Sequence, residues 1–170
     1  MDHLAEGISA PDLILPDLSG TLFHLVRALE CGPLILVFFK TTCPACDLTF
    51  PYLQRIHAAS ASSGPPRIWA VSQDSIDATR RFSAELALGM PFLVDAHPFP
   101  VSDDYAVRYV PTIYLIDRAR RIRIADCGFS KPALREVNRH LARELGRGEP
   151  ELFAPGDRRP ERRPGCSSNN

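Results

Sequence analysis

The paired cysteines Cys43 and Cys46 follow closely after the longest strongly apolar run of the chain, residues Leu34–Phe39. Such a short, uninterrupted run is typical of a strand that is buried on both faces. Two thiols that begin the next helix, two residues apart, can close into a ring on one helical turn. The free N–H groups and the dipole of a helix start favour a thiolate, which makes Cys43 the candidate nucleophile. Pro44 suits the first helical turn because it has no N–H to lose, and Lys40 is a candidate modulator of the Cys43 pKa.

The segments around this motif alternate between strand-like and helix-like patterns. Helices are predicted after the cysteine pair, from Ser75 towards Gly89, and from about Pro132 to Gly146. A βαβ unit that is followed by a hairpin and a helix indicates an α/β fold with a mixed parallel and antiparallel sheet flanked by helices. An N-terminal β-hairpin is predicted as an extension of this fold. The predicted strands are 13–15, 21–25, 34–39, 68–72, 91–95, 112–116 and 121–127.

Three zones are predicted along the chain. Residues 1–12 form a short lead-in, residues 13–146 form the single domain, and residues 147–170 form a polar, proline-rich tail. Because the tail has almost no apolar residue after Phe153, it cannot bury enough surface by itself to offset its ordering entropy. We therefore expect the tail to be disordered.

Composition excludes several classes of function. The 20 Lys+Arg residues balance the 20 Asp+Glu residues, which argues against a nucleic-acid or membrane binder held by bulk charge. The longest apolar run is far shorter than the ~20 residues that a membrane helix needs. No basic, apolar leader begins the sequence. We therefore expect a cytoplasmic chain, or a periplasmic one if a leader has been removed.

The remaining cysteines do not suggest a metal site. A structural zinc site needs two ligands besides one Cys-x-x-Cys pair, whereas Cys31, Cys127 and Cys166 stand singly in the sequence. We expect no metal and no cofactor. Cys31 is predicted to be inert and Cys127 to be a buried small side chain. Cys166, in an exposed tail, could form adventitious or regulatory disulfides, of which the adventitious ones are favoured. A Cys-x-x-Cys pair near a βαβ pattern is instead typical of thioredoxin-like redox sites.

These motifs together resemble the thioredoxin fold, and more closely the thiol–disulfide oxidoreductases of the TlpA/ResA type. The resemblance covers about residues 8–146. It is carried by Leu36-Val37-Phe38-Phe39 before the cysteines, Phe50-Pro51-Tyr52-Leu53 after them, Ala10-Pro11-Asp12 with Leu18-Ser19-Gly20, Pro91-Phe92-Leu93-Val94-Asp95, and Tyr109-Val110-Pro111-Thr112-Ile113-Tyr114-Leu115-Ile116-Asp117.

The resemblance implies a dithiol mechanism in which Cys43 attacks a substrate disulfide and Cys46 resolves the mixed disulfide. It also implies a cis bond before Pro111 and pairing of the substrate with the Val110 backbone. Thr42, Pro44 and Ala45 would line the substrate site with those two residues. The implied partners are a disulfide-containing protein or small thiol and an external reductant, and the chain is expected to be a monomer. We expect the Cys43 sulfur to be more accessible than that of Cys46.

The chain departs from the family pattern at three positions. Thr42 stands where a tryptophan is usual, and Val37 and Thr49 stand where the two usual proton-relay acids would be. The loss of both acids keeps open a non-catalytic redox-sensing or partner-binding module. A peroxiredoxin-like thiol peroxidase also stays open, because peroxiredoxins share this fold and a segment similar to Ser72-Gln73-Asp74. The peroxidase is disfavoured because Leu36 and Lys40 occupy the positions at which peroxiredoxins carry the proline and threonine of the peroxide site.

Overall fold

The computed structural model describes residues 2–170 and places the Leu34–Phe39 run in the middle of a five-stranded mixed sheet. The strand order is β5-β4-β3-β7-β8. Strands β3, β4 and β5 are parallel to one another, β7 is antiparallel to β3, and β8 is antiparallel to β7. The elements are β1 (Ile14–Pro16), β2 (Leu22–His24), α1 (Leu25–Glu30), β3 (Leu34–Phe39), α2 (Pro44–Ser60), a 3-10 turn (Ala61–Ser63), β4 (Ile68–Ser72), α3 (Ile76–Glu85), β5 (Phe92–Val94), α4 (Pro100–Asp104), β6 (Tyr109–Val110), β7 (Thr112–Ile116), β8 (Ile122–Cys127), β9 (Phe129–Ser130), α5 (Lys131–Glu144), β10 (Arg162–Arg163) and β11 (Cys166–Ser167).

The central position of β3 explains its composition. Every residue of β3 is fully buried, because β4 and β7 pair with its two edges and side chains cover both of its faces. An aromatic cluster packs around Phe39, whose ring centroid lies 4.7 Å from that of Phe50, 5.1 Å from that of Phe82 and 5.6 Å from that of Phe92. The cluster joins β3 to α2, α3 and β5. It thereby fixes the end of β3 from which the cysteine motif departs.

The helices begin where the sequence analysis places them. The Ser75 hydroxyl accepts a hydrogen bond from Ala78 N at 3.2 Å at the start of α3, and the Ser130 hydroxyl accepts one from Ala133 N at 3.2 Å at the start of α5. Both are N-caps, which satisfy backbone donors that the helix leaves free. Helix α2 runs through Pro51.

The N-terminal segment is hydrogen-bonded to the start of β8. Gly7 N donates to Ile122 O at 2.8 Å, and Ile122 N donates back to Ile8 O at 2.9 Å. With an isolated bridge between Ser9 and Arg121, these bonds join the segment to the edge of β8 at its first residue. The predicted hairpin of β1 and β2 is also formed, with Leu15 paired to Phe23.

The C-terminal segment, residues 147–170, differs from the disorder predicted for it. Leu152 is only 4% exposed, and the Phe153 ring packs 4.5 Å from the Tyr52 ring. Further on, β10 pairs with β9 and β11 pairs with β6. The composition argument considered only what this segment could bury by itself, whereas the segment is held by strand edges and polar groups that the domain already presents.

One polar anchor joins the C-terminal segment to α5. Lys131 is 4% exposed, and its Nζ lies 3.3 Å from Asp157 Oδ1. The same carboxylate accepts a hydrogen bond from the Tyr52 hydroxyl at 2.7 Å. These contacts lower the Asp157 pKa to about 2, chiefly through the Tyr52 hydrogen bond. Within residues 2–170, no helix is long and apolar enough to cross a membrane.

Candidate active site

The cysteine pair lies where the central strand passes into helix α2. A short turn follows β3, and the Asp74 carboxylate accepts a hydrogen bond from Thr41 N at 2.6 Å, which fixes this turn against the end of β4. Cys43 is extended, with φ −99° and ψ 113°, and it is the N-cap residue of α2. Its carbonyl accepts hydrogen bonds from Cys46 N at 2.9 Å and from Asp47 N at 3.1 Å. The two thiols therefore sit at the two ends of the first helical turn, as the sequence predicts.

The two thiols of the pair have opposite proton affinities. The pKa of Cys43 is lowered to about 5, chiefly by a hydrogen bond from the Cys46 thiol, with further contributions from Cys166 and from the amides of Cys46 and Ala45. These effects outweigh burial, which acts in the other direction. The pKa of Cys46 is raised well above its usual value, first by burial and then by the neighbouring Cys43. Near neutral pH the pair therefore holds a Cys43 thiolate beside a protonated Cys46.

That Lys40 modulates the Cys43 pKa stays a prediction, and the charge of Lys40 acts on the Cys166 thiol. The main causes of the low Cys43 pKa are the thiol and amide hydrogen bonds, whereas the positive charge of Lys40 lowers the pKa of Cys166. Burial and the contact with Cys43 outweigh this effect, so the Cys166 pKa is raised overall. Lys40 is half-buried in the turn before the cysteine motif.

The opposite wall of the site is formed by β6 and the residue after it. The Val110–Pro111 peptide bond is cis, as the family resemblance implies, and the carbonyl oxygen of Val110 lies 3.3 Å from Cys43 Sγ. Both residues are buried. A second cis bond, His97–Pro98, was not predicted. Of the other candidate substrate-binding residues, Thr42 and Pro44 are exposed beside the cysteines and Ala45 is buried beneath them.

A third sulfur lies in the site. Strand β11 pairs antiparallel with β6, and Cys166 stands opposite Val110. Cys166 Sγ lies only 2.6 Å from Cys43 Sγ. The sequence analysis missed this residue because the tail carries no periodic pattern and because its partner strand lies more than fifty residues earlier in the chain.

The arrangement of β11 changes the accessibility expected for the cysteines. Cys43 and Cys46 are both fully buried, so the predicted difference in exposure between them is not seen. Cys46 is buried by its own helix. Cys43, in contrast, is covered from the outside by Cys166 and by the β6 backbone. Cys166 itself is half-buried.

The two positions without relay acids are filled by side chains that cannot take up a proton at neutral pH. Val37 is fully buried in β3. Thr49 is also buried, and its hydroxyl donates to Ala45 O at 2.8 Å within its own helix. The remaining cysteines lie elsewhere, Cys31 exposed at the end of α1 and Cys127 half-buried at the end of β8. Across residues 2–170, no group of three or more His, Cys, Asp and Glu side chains could hold a metal ion.

A central strand that leads into a helix bearing a Cys-x-x-Cys pair, with a cis proline opposite the first sulfur, defines a dithiol protein of the thioredoxin-fold class. Comparison with known families gives the narrower assignment. The model of the AhpC/TSA family matches residues 7–125, and the chain belongs to that family. The match includes Cys43, Cys46, Val110 and Pro111, and it ends before the C-terminal segment.

Individual relatives agree with this assignment. The thiol-disulfide oxidoreductase ResA of Halalkalibacterium halodurans is 31% identical over 65% of this chain, and the aligned region spans 62% of that relative's own length. The thioredoxin domain of a thiol-disulfide oxidoreductase from Bacteroides vulgatus superposes with a TM-score of 0.69 at 22% identity, over 81% of this chain and 98% of the other. The peroxidoxin BcpB of Mycobacterium tuberculosis superposes with a TM-score of 0.63 at 20% identity, over 85% of this chain and 96% of the other. The predicted mixed α/β fold and the resemblance to thiol–disulfide oxidoreductases are thereby confirmed.

Proposed function

We propose that this chain is a thiol–disulfide oxidoreductase that exchanges the Cys43–Cys46 dithiol and disulfide with a protein disulfide or a small-molecule disulfide. The observation that carries the proposal is the asymmetry of the pair: the pKa of Cys43 is lowered to about 5, and that of Cys46 is raised. Such a pair has a nucleophile that is ionised at neutral pH and a second thiol that keeps its proton until it is needed. The names of the ResA relatives support the same activity.

The reaction begins with the attack of the Cys43 thiolate on one sulfur of the substrate disulfide. That S–S bond breaks, a Cys43–substrate disulfide forms, and the other substrate sulfur leaves as a thiolate that takes up a proton. Cys46 then loses its proton and attacks Cys43 Sγ, which releases the second substrate thiol and leaves a Cys43–Cys46 disulfide. The substrate has gained two electrons and the pair has lost two.

The second step is the harder one in this chain. Burial and the nearby Cys43 sulfur hold the proton on Cys46, and neither Val37 nor Thr49 can accept it. The proton must leave through water or through the departing substrate thiolate. We therefore expect resolution of the mixed disulfide, rather than the first attack, to limit the rate near neutral pH.

Substrate recognition would use the β6 edge. Val110 pairs with another extended segment through its backbone, which supports the proposal that its outer edge accepts a substrate strand in the way that peptide-binding edges do. Thr42 and Pro44 form the exposed rim beside it. We propose that the chain works as a monomer with an external reductant, which a cytoplasm kept reduced by glutathione and thioredoxin would supply.

Reduction of insulin disulfides in the presence of dithiothreitol tests this function. Wild-type protein should accelerate the reaction, and Cys43→Ser should abolish the acceleration. Cys31→Ser is the matched control, because it removes an exposed thiol away from the pair and should leave the rate unchanged.

Two results would contradict the proposal. One is insulin reduction that survives Cys43→Ser. The other is the absence of insulin reduction together with Cys43-dependent consumption of hydrogen peroxide, which would favour the peroxidase instead.

A further inference from the structure

The C-terminal segment lies where a substrate strand would lie. Strand β11 is antiparallel to β6, with Cys166 opposite Val110 and Ser167 opposite Tyr109. The Sγ atoms of Cys166 and Cys43 are 2.6 Å apart, closer than two sulfur atoms come in ordinary van der Waals contact. The sulfur of Cys166 thus occupies the place that the attacked sulfur of a substrate disulfide would take.

Two glycines make this approach possible, which is a separate indication that the docked position is built into the sequence. A Cβ on Gly165 would lie 2.7 Å from Val110 O. A Cβ on Gly128, which has a φ of +79°, would lie 2.5 Å from Arg163 O and 3.0 Å from Gly165 N. No other residue type fits either position without moving the backbone of the segment or of the domain.

The segment is also anchored on both sides of Cys166. Before it, β10 pairs with β9, and Arg162 contacts the Asp126 carboxylate at 3.0 Å. After it, Ser168 N donates to Arg108 O at 3.0 Å, and Asn169 N donates to Gln73 Oε1 at 2.9 Å. Because both flanks are held, Cys166 is kept opposite Cys43 by the backbone rather than by the contact between the sulfurs.

We propose that Cys166 is a third redox-active cysteine of this site and that the C-terminal segment is an intramolecular substrate of Cys43. The inference rests on the proposed function, because it uses the same Cys43 chemistry. Starting from the Cys43–Cys46 disulfide, the Cys166 thiolate attacks Cys43 Sγ. The Cys43–Cys46 bond breaks, a Cys43–Cys166 bond forms, and Cys46 leaves as a thiolate that takes up the proton given up by Cys166. One disulfide is present before and after, so no outside oxidant is needed.

This exchange has two consequences. It moves the disulfide from the fully buried Cys46 to the half-buried Cys166, where an external reductant can reach a sulfur. It also means that a protein substrate must displace β11 before its own strand can pair with Val110. The segment therefore competes with protein substrates for the β6 edge.

A thiol-counting experiment on the full-length chain tests whether Cys43 and Cys166 form the disulfide that the exchange produces. The background carries Cys31→Ser, Cys127→Ser and Cys46→Ser, so that only Cys43 and Cys166 remain as thiols. One equivalent of 5,5′-dithiobis(2-nitrobenzoic acid) forms a mixed disulfide with one cysteine and releases one thionitrobenzoate. If the other cysteine then attacks, a second thionitrobenzoate is released and the Cys43–Cys166 disulfide remains. We expect two equivalents per chain, and a monomer in which peptide mapping finds that disulfide.

Two variants of this background serve as controls. Adding Cys166→Ser should limit the release to one equivalent. Adding Gly165→Ala should slow the second release by roughly tenfold, the equivalent of about 1.4 kcal/mol, because the added Cβ pushes β11 away from Val110. In the otherwise wild-type chain, Gly165→Ala should raise the rate of insulin reduction by removing the competitor.

The inference is overturned if the second equivalent is not released, if the disulfide is found only in dimers, or if Gly165→Ala leaves the second release unchanged. If Gly165→Ala lowered the rate of insulin reduction, the proposed competition between β11 and protein substrates would be wrong.

Should the triple-serine background not fold, peptide mapping of oxidised wild-type protein replaces it, and absence of the Cys43–Cys166 peptide contradicts the proposal. Wild-type insulin reduction with a single equivalent released would refute this inference alone. Release of two equivalents, together with no insulin reduction by the wild type, would refute the proposed function instead.

Discussion

Two regions of the molecule bring sulfur to the same point by different physical means. The strand β3 and the helix α2 hold Cys43 and Cys46 through burial, because every residue of β3 is fully buried and the aromatic cluster around Phe39 locks the two elements together. Beyond its buried anchors, Leu152 and the Lys131–Asp157 pair, the C-terminal segment holds Cys166 through two short strand pairings and a few polar contacts. The first region is fixed by the core of the domain, and the second is added to its edge.

The two regions differ in whether their cysteines can leave the site and return to it. Strands β10 and β11 are two residues each, and the Arg162–Asp126 pair is largely exposed on the arginine side. Exposed ion pairs contribute at most about 1 kcal/mol, and regions with few buried contacts open without global unfolding. The cysteine pair can be displaced only by unfolding the domain, whereas Cys166 can leave and return while the domain stays folded.

The largest expected effect is a difference between the two regions in how much a substitution lowers the free energy of unfolding. Phe39→Ala removes a fully buried ring and should lower the free energy of unfolding by about 3–5 kcal/mol. Phe153→Ala removes a half-buried ring from the C-terminal segment and should cost about 1 kcal/mol. Denaturant unfolding followed by circular dichroism measures both changes. Equal losses would mean that the segment is part of the core and not an addition to it.

The next effect concerns opening of the segment. Gly128→Ala places a Cβ against Arg163 O at a residue with positive φ, a combination that costs on the order of 1–3 kcal/mol. Tryptic cleavage after Arg158 and Arg162, the two arginines of this stretch that do not precede a proline, should therefore become roughly tenfold faster, since cleavage follows the population of the open form.

Gly148→Ala is the matched control for this measurement, because nothing lies within 4 Å of the added Cβ. Its cleavage rate should equal that of the wild type. If Gly128→Ala were cut no faster than Gly148→Ala, the segment would not depend on the close approach at Gly128.

The smallest expected effect compares the two neighbours of Cys43. In the wild type, the thiolate absorbance of Cys43 near 240 nm should rise with pH through a midpoint of about 5. Cys166→Ala removes a secondary cause of the low pKa and should move the midpoint upward, so that less thiolate is present at any pH below the plateau. Cys46→Ala removes the largest cause and should move the midpoint further. Spectra of Cys43→Ser provide the background to subtract, and a larger shift for Cys166→Ala than for Cys46→Ala would reverse the assigned order.

Much of the first region follows from local sequence patterns. Strands Leu34–Phe39, Ile68–Ser72 and Thr112–Ile116 have the bounds predicted for them, because fully buried strands appear as continuous apolar runs that end at polar residues or turns. The start of α2 follows from Pro44 and the paired thiols. The cis bond at Pro111 follows from the family resemblance and not from the pattern of residues.

The second region could not be predicted in this way. Its order depends on the match between Gly165 and Val110, and between Gly128 and Arg163, which are pairs of residues far apart in the sequence. In the sequence, Cys166 is an exposed cysteine of the tail without a designated partner, and only the pairing of β11 with β6 shows which sulfur it faces.

The register of β11 on β6 has a consequence for how the C-terminal segment can vary. Successive side chains of a strand point to opposite sides, so a shift of one residue would turn Cys166 away from Cys43 while leaving the composition of the segment unchanged. Most of the residues between Glu151 and Arg163 are exposed, and those without a contact to the domain can be exchanged. The number of these residues cannot change without shifting the register of β11 on β6. The length of the chain from Gly128 to Cys166, rather than the identity of most of its residues, is the property that keeps the third sulfur in place.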